Sequence, residues 1–155
     1  MTTMLRPWSM ESTRKGWLQW IEFVIFHVGV AVMIGMSFVI SFGPQWLTPL
    51  VVTLVIISQA LALVAGVVRL SKRIRDPKLR AISSLDDYFS LVITDVLFVF
   101  CILATLHVPL GYETYFVLVA AIIAYVPFSK ISHYLYYPIA RYFYGSYLGR
   151  RGIVR

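Results

Sequence analysis

Two histidines lie within apolar stretches of this 155-residue chain, His27 about ten residues into the first stretch and His133 about eight residues before Arg141 near the end of the last. Ionisable side chains in hydrocarbon cost several kcal/mol unless paired or ligated, so each is a candidate for chemistry. At roughly 1.5 Å rise per residue, both fall within roughly 12–18 Å of the same membrane surface, and they can face each other at matching depth. Two opposed imidazoles suit a bis-histidyl b-type haem, whose six-coordinate, low-spin iron serves electron transfer rather than oxygen chemistry. Ala31 and Gly35 follow His27 at successive i+4 positions, so small residues line one helix face where a flat macrocycle needs clearance. Lys130 stands one turn before His133 and points the same way, toward a haem propionate at the membrane edge. A plainer account of the same residues makes both histidines hydrogen-bonded packing groups and gives the small residues to helix contact.

The remaining intramembrane polar groups are fewer. Asp95 in the third stretch and Gln59 in the second are expected mid-span, where the carboxyl would relay a proton or touch a quinone head group, or else stay protonated and bond Gln59 or Ser58. His107 beside Pro109 reads as an interfacial histidine, and Glu22 is near enough to the basic end of its helix to pair with Lys15, with no further role expected. Cys101, the single cysteine, reads as a small apolar filler. The chain has no nucleophile elbow, phosphate-binding glycine loop, metal-spaced cysteine set or HExxH pattern, so a self-sufficient enzyme is not expected.

The elements that must position these groups follow from composition. Hydrophobic residues make up 59% of the chain and charged residues 14%, more apolar surface than a soluble domain of this size buries. A transmembrane helix takes roughly 20 mainly apolar residues. Four such stretches run from Trp17 to Phe42, Leu47 to Leu70, Leu85 to Val108, and Tyr112 to about Tyr137. The first is about twice the usual ~7–15 residue signal core, and is read as a permanent span. All fourteen Lys and Arg fall on one side of this topology, before the first span, in the Arg69 to Arg80 connection, and from Lys130 onward. By the positive-inside rule both termini are cytoplasmic. The net charge of +7 therefore reads as topogenic flanks that attract anionic lipid heads, not as a nucleic-acid footprint. The expected fold is an all-α, four-helix integral membrane bundle, multi-pass in the cytoplasmic membrane. It comprises a cytoplasmic arm (1–16), a four-helix cytochrome b-like domain (17–138) and a basic, aromatic interfacial tail (139–155). Ser83 or Ser84 followed by Asp86 and Asp87 reads as the N-cap and acidic first turn of the third helix, and Pro127 as an interruption of the fourth.

Three segments carry a family resemblance: Phe26-His27-Val28-Gly29, then Asp76-Pro77-Lys78-Leu79-Arg80-Ala81-Ile82-Ser83-Ser84, then Pro127-Phe128-Ser129-Lys130-Ile131-Ser132-His133. In that order the chain resembles the gamma (cytochrome b) subunit of respiratory nitrate reductase and related membrane subunits of sulfite-reductase-linked and heterodisulfide reductase complexes. The resemblance implies an anchor and electron-transfer subunit linking the quinone pool with a cytoplasmic iron–sulfur partner subunit. It also implies a shortened form, similar to the last four of the family's five helices. The positions at which two-haem members carry a second histidine pair are Ser37 and Tyr115 here, so the resemblance implies one haem, held by His27 and His133, and no outer haem. A haem-free structural subunit of a larger complex is the competing expectation; a small transporter or channel is a third, pointed to only by Asp95 and Pro127.

Overall fold

A computed structural model describes residues 16–151. The expected arm up to residue 15, with Arg6, Arg14 and Lys15, and the last four residues of the tail lie outside the described residues. The helices are α1 (Trp17–Phe42), α2 (Pro49–Arg75), the short α3 (Pro77–Ala81), α4 (Leu85–Thr105), α5 (Pro109–Tyr125) and α6 (His133–Arg150). Three 3-10 turns, Pro44–Trp46, Val126–Phe128 and Lys130–Ser132, join them. Among the described residues four helices are long and apolar enough to cross a membrane: α1, α2, α4 and Pro109–Phe128. No more than 39% of any of their most apolar stretches is buried inside the bundle. Side chains such as Phe42, Leu50 and Leu110 point outward, and at roughly 25 cal/mol per Å² that surface demands lipid rather than water.

Local chemistry sets the ends. Thr48 caps α2 through its hydroxyl, which accepts from the Val51 N–H, and Pro49 occupies the first helical position where no donor is needed. Asp76 stops α2 because it precedes Pro77, and its carboxylate then accepts from the Lys78 N–H to start α3. Ser84 and Asp87 close a capping box at the start of α4. The α4–α5 turn is tight enough to hold His107 at φ 55°, a left-handed conformation uncommon outside glycine, so this histidine serves the turn.

In the bundle α1 packs on α2, α2 on α4, and α4 on α5, with α1 also reaching α4. Small residues set the spacing. A Cβ on Gly29 would sit 2.2 Å from the Ala62 Cβ, which shows how closely α1 and α2 approach. Phe98, Leu97, Ala62, Cys101, Ala104 and Tyr115 form the fully buried centre, Cys101 serving there as the expected apolar filler.

Two expectations change. The second helix carries on to Arg75, so Arg69, Lys72, Arg73 and Arg75 stand on its last turns rather than in a connection. The fourth helix does not run to Tyr137: regular α structure ends at Tyr125, Ser129 is extended (φ −117°, ψ 166°), and a new helix begins at His133. Pro127 lacks the N–H that would continue the ladder; Val126 before it keeps helical backbone (φ −47°, ψ −45°), and the chain passes into a 3-10 turn before extending at Ser129. The chain thus turns at 126–132 instead of at the expected 138/139 boundary. The helix α6 makes few contacts with the bundle beyond the Lys130–Ser132 turn and exposes its aromatic side chains almost throughout.

Candidate functional site

The break brings the two histidines together. The imidazole centroids of His27 on α1 and His133 at the start of α6 lie 6.5 Å apart with ring planes at 68°. Each ring is fixed from behind. His27 Nδ1 lies 2.8 Å from the Phe23 carbonyl and His133 Nδ1 2.6 Å from the Lys130 carbonyl, each one turn back along the chain. With Nδ1–H donated to a carbonyl, Nε2 is left with its lone pair, the state and tautomer of a metal-ligating imidazole. Phe23 lies against the His27 ring at 3.9 Å between centroids, and the Phe26 ring lies edge-on at 5.8 Å.

The spacing can be tested against ligation. Two metal–imidazole bonds of about 2.0–2.1 Å, as at zinc, plus two ring radii of about 1.1 Å set by sp² C–N bonds near 1.33 Å, add to about 6.3 Å. An ordinary edge-to-face pair also falls within about 4.5–7 Å, so distance alone does not separate the two accounts; the anchored Nδ1 atoms and the open helix face favour ligation. Ala31 and Gly35 are exposed on α1, and a Cβ on Gly35 would meet nothing within 4 Å. Within the chain they therefore serve no helix contact, unlike Gly29, and they leave clearance beside His27. Among the described residues no group of three or more His, Cys, Asp or Glu is placed to hold a metal ion. Two imidazoles 6.5 Å apart would suit a metal that brings its own further donors, as haem iron does. The residues present fit that group.

Lys130 is placed differently from the expectation. Its ammonium donates to Asp87 Oδ2 at 2.7 Å and to Ser84 Oγ at 2.9 Å, and its backbone N–H to Asp86 Oδ2 at 2.9 Å. The Tyr125 hydroxyl also donates to Asp86. Lys130 thus ties the break to the start of α4, and toward His133 it offers its carbonyl, not its charge. The acids face the break because they occupy the first turn of α4, and that position was the available signal for this clamp. Another cation, expected only as the start of the basic connection, lies against the two rings that flank His27. Arg69, a turn deeper than its neighbours on α2, lies 5.8 Å from the Phe23 ring centre and 5.4 Å from that of Phe26. Glu22 pairs with Lys72 at 2.5 Å.

Ser37 and Tyr115, where the resemblance implied a second histidine pair in two-haem relatives, are in direct contact. The Tyr115 hydroxyl, fully buried on α5, lies 2.8 Å from Ser37 Oγ and 2.7 Å from the Met33 carbonyl of α1. Side chains in hydrogen-bond contact leave no macrocycle-sized gap between them.

Asp95 and Gln59 are both buried but are not brought together. Gln59 Nε2 donates to the Gly29 carbonyl at 3.1 Å, so the expected bond between the two is replaced by a link from α2 to α1. Asp95 packs on Gly66, where a Cβ would stand 1.8 Å from Oδ1. Asp95 Oδ1 and Gln59 Oε1 have no partner among the described residues. Asp95 lines a shallow outward groove of about 270 Å³ whose other walls are Leu63, Val67, Leu70, Val92, Val96 and Val99; Gln59 does not line it. One acid in an apolar groove suits a lipid-soluble molecule with a single polar end. No protein-family model, curated protein or solved structure matches this chain.

Proposed function

We propose that this chain is an anchor and electron-transfer subunit of a redox complex in the cytoplasmic membrane, carrying one bis-histidyl b-type haem between the quinone pool and a cytoplasmic iron–sulfur subunit. The observation that carries the reading is the His27–His133 pair, 6.5 Å apart and each anchored at Nδ1. His27 and His133 would hold the iron, the clear face at Ala31 and Gly35 would receive the macrocycle, and Arg69 would pair with a propionate, since the Lys130 ammonium is engaged by Asp87 and Ser84. When bound, haem would supply a one-electron carrier. What the chain's own residues do is fix the imidazoles: carbonyls of Phe23 and Lys130 hold the tautomers, and Asp86 and Asp87 hold the break on which His133 sits. The Ser37–Tyr115 contact supports a single haem. Quinone contact is proposed at the Asp95 groove, with Gln59 serving helix packing. The partner subunit is proposed for the basic side, where the histidines and the α2–α4 connection lie together.

A second reading, a haem-free structural subunit, is favoured by the ring geometry, 6.5 Å between centroids at 68°, which is that of an ordinary edge-to-face pair. The two readings separate in a reduced-minus-oxidised spectrum of the purified full-length protein with haem quantified. A b-type band at one haem per chain, lost in His27→Ala and in His133→Ala, is expected. The absence of a band, or haem retained in the double variant, overturns the haem reading and leaves the structural one.

A further inference from the structure

A second, larger groove of about 630 Å³ opens on the basic side between α1, the last turns of α2 and the short α3, away from both histidines. Its α2 wall is one stripe at helical spacing, Val67, Ser71 and Arg75 flanked by Val68 and Lys72. Along about 12 Å of helix, at 1.5 Å per residue, that stripe passes from aliphatic through hydroxyl to cation. Gln19 of α1 and Leu79 of α3 close its sides. The order of chemistry, apolar at membrane depth and cationic at the surface, matches a phospholipid read from acyl chain to phosphate.

The charges select an anion. Lys72 is taken by Glu22 at 2.5 Å, and Arg73 by Ser83 at 2.9 Å and Asp87 at 3.5 Å. Arg75 has no acidic partner among the described residues and stands at the mouth of the groove. Asp76, also at the rim, has one oxygen engaged by the Lys78 N–H, and Lys78 beside it offsets its charge. An acidic protein segment would satisfy Arg75 from the aqueous side but would leave Val67 and Val68 uncovered. A lipid covers both, and the leaflet on the basic side is the anionic one.

We propose that this groove seats one anionic phospholipid, with its phosphate at Arg75 and Ser71 and an acyl chain along Val67 and Val68. The volume holds about twenty groups of water size at ~30 Å³ each, enough for a phosphodiester head and the first methylenes. Such a lipid wedges the α1–α2 pair to α3 on the face where the cations cluster.

The test is native mass spectrometry of the full-length protein in detergent, titrated in parallel with phosphatidylglycerol, with phosphatidylcholine of the same chains, and with inorganic phosphate. One tightly retained phosphatidylglycerol per chain is expected, weakened about tenfold by Arg75→Gln as a charge-assisted contact is lost and weakened independently by Val67→Phe, which fills the apolar half. Arg80→Gln, outside the groove, leaves retention unchanged, and Arg75→Lys retains most of it. Equal retention of phosphatidylcholine, displacement of the lipid by inorganic phosphate, or equal losses for Arg75→Gln and Arg80→Gln would each overturn the proposal. So would loss of a co-purifying protein subunit in Arg75→Gln with lipid retention intact.

Discussion

Replacing Gly66 by alanine places a methyl carbon 1.8 Å from Asp95 Oδ1, 2.7 Å from its Cγ and 2.9 Å from Oδ2. All three atoms of the carboxyl fall inside 3.0 Å, so rotating the group does not relieve the clash; α2 and α4 must separate or Asp95 must leave its rotamer. Overpacking of this kind costs about 1–3 kcal/mol. The opposing gain in helix propensity, about 0.8–1.0 kcal/mol in water, is largely absent in lipid, where backbone hydrogen bonds persist even in separated helices. Gly35→Ala, compared in haem-free protein, supplies the control, because it makes the same chemical change on α1 with nothing of the chain within 4 Å. The difference between the two variants isolates the clash. At about 2–4 °C per kcal/mol for a chain of this length, Gly66→Ala should melt about 2–12 °C below Gly35→Ala by circular dichroism in detergent. In an Asp95→Ala background, where the clashing atoms are gone, Gly66→Ala should cost no more than Gly35→Ala does. A Gly66→Ala melting point equal to that of Gly35→Ala, or an undiminished penalty in the Asp95→Ala background, would refute this account of how Asp95 is seated.

Other outcomes follow from the same contacts. Lys130→Met and Asp87→Asn should show a coupling of about 0.5–1 kcal/mol in a double-mutant cycle read by thermal unfolding, because the ammonium is 60% exposed and the pair behaves as a surface ion pair; a coupling of zero removes the clamp on the break. Tyr115→Phe removes the donor to the Met33 carbonyl and the contact with Ser37, and should destabilise by about 0.5–1.5 kcal/mol in the same assay; no loss would mean that α1 and α5 are not joined there. Gly35→Leu should leave the melting point of the haem-free protein near that of Gly35→Ala while lowering the haem recovered per chain, whereas full haem content would place the macrocycle elsewhere.

The number of spans, their apolar surface and the side that carries the cations were legible in the sequence. Hydropathy over about twenty residues and the placement of Lys and Arg do not depend on how helices pack. The start of α4 was equally local, since Ser84 and Asp87 act within one turn of themselves. The histidine pairing was legible as an expectation of matching depth. The break at Pro127 was legible as a position, but its consequence, that His133 opens a new helix, was not. Several extended and 3-10 conformations can follow a lost backbone donor, and hydrogen bonds to Asp86 and Asp87 from another helix select the one observed.

The sequence by itself determined what could be charged, apolar or helical at each position. Tertiary structure decided which groups meet: Lys130 with Asp87, Glu22 with Lys72, Tyr115 with Ser37, Gln59 with the Gly29 carbonyl, and Asp95 against Gly66. Each of these joins residues on different elements, and a rotation of one helix by a single residue, about 100°, would undo it. That rotation is set by where small residues such as Gly29 and Gly66 let two backbones approach, a property of facing surfaces that no single helix contains.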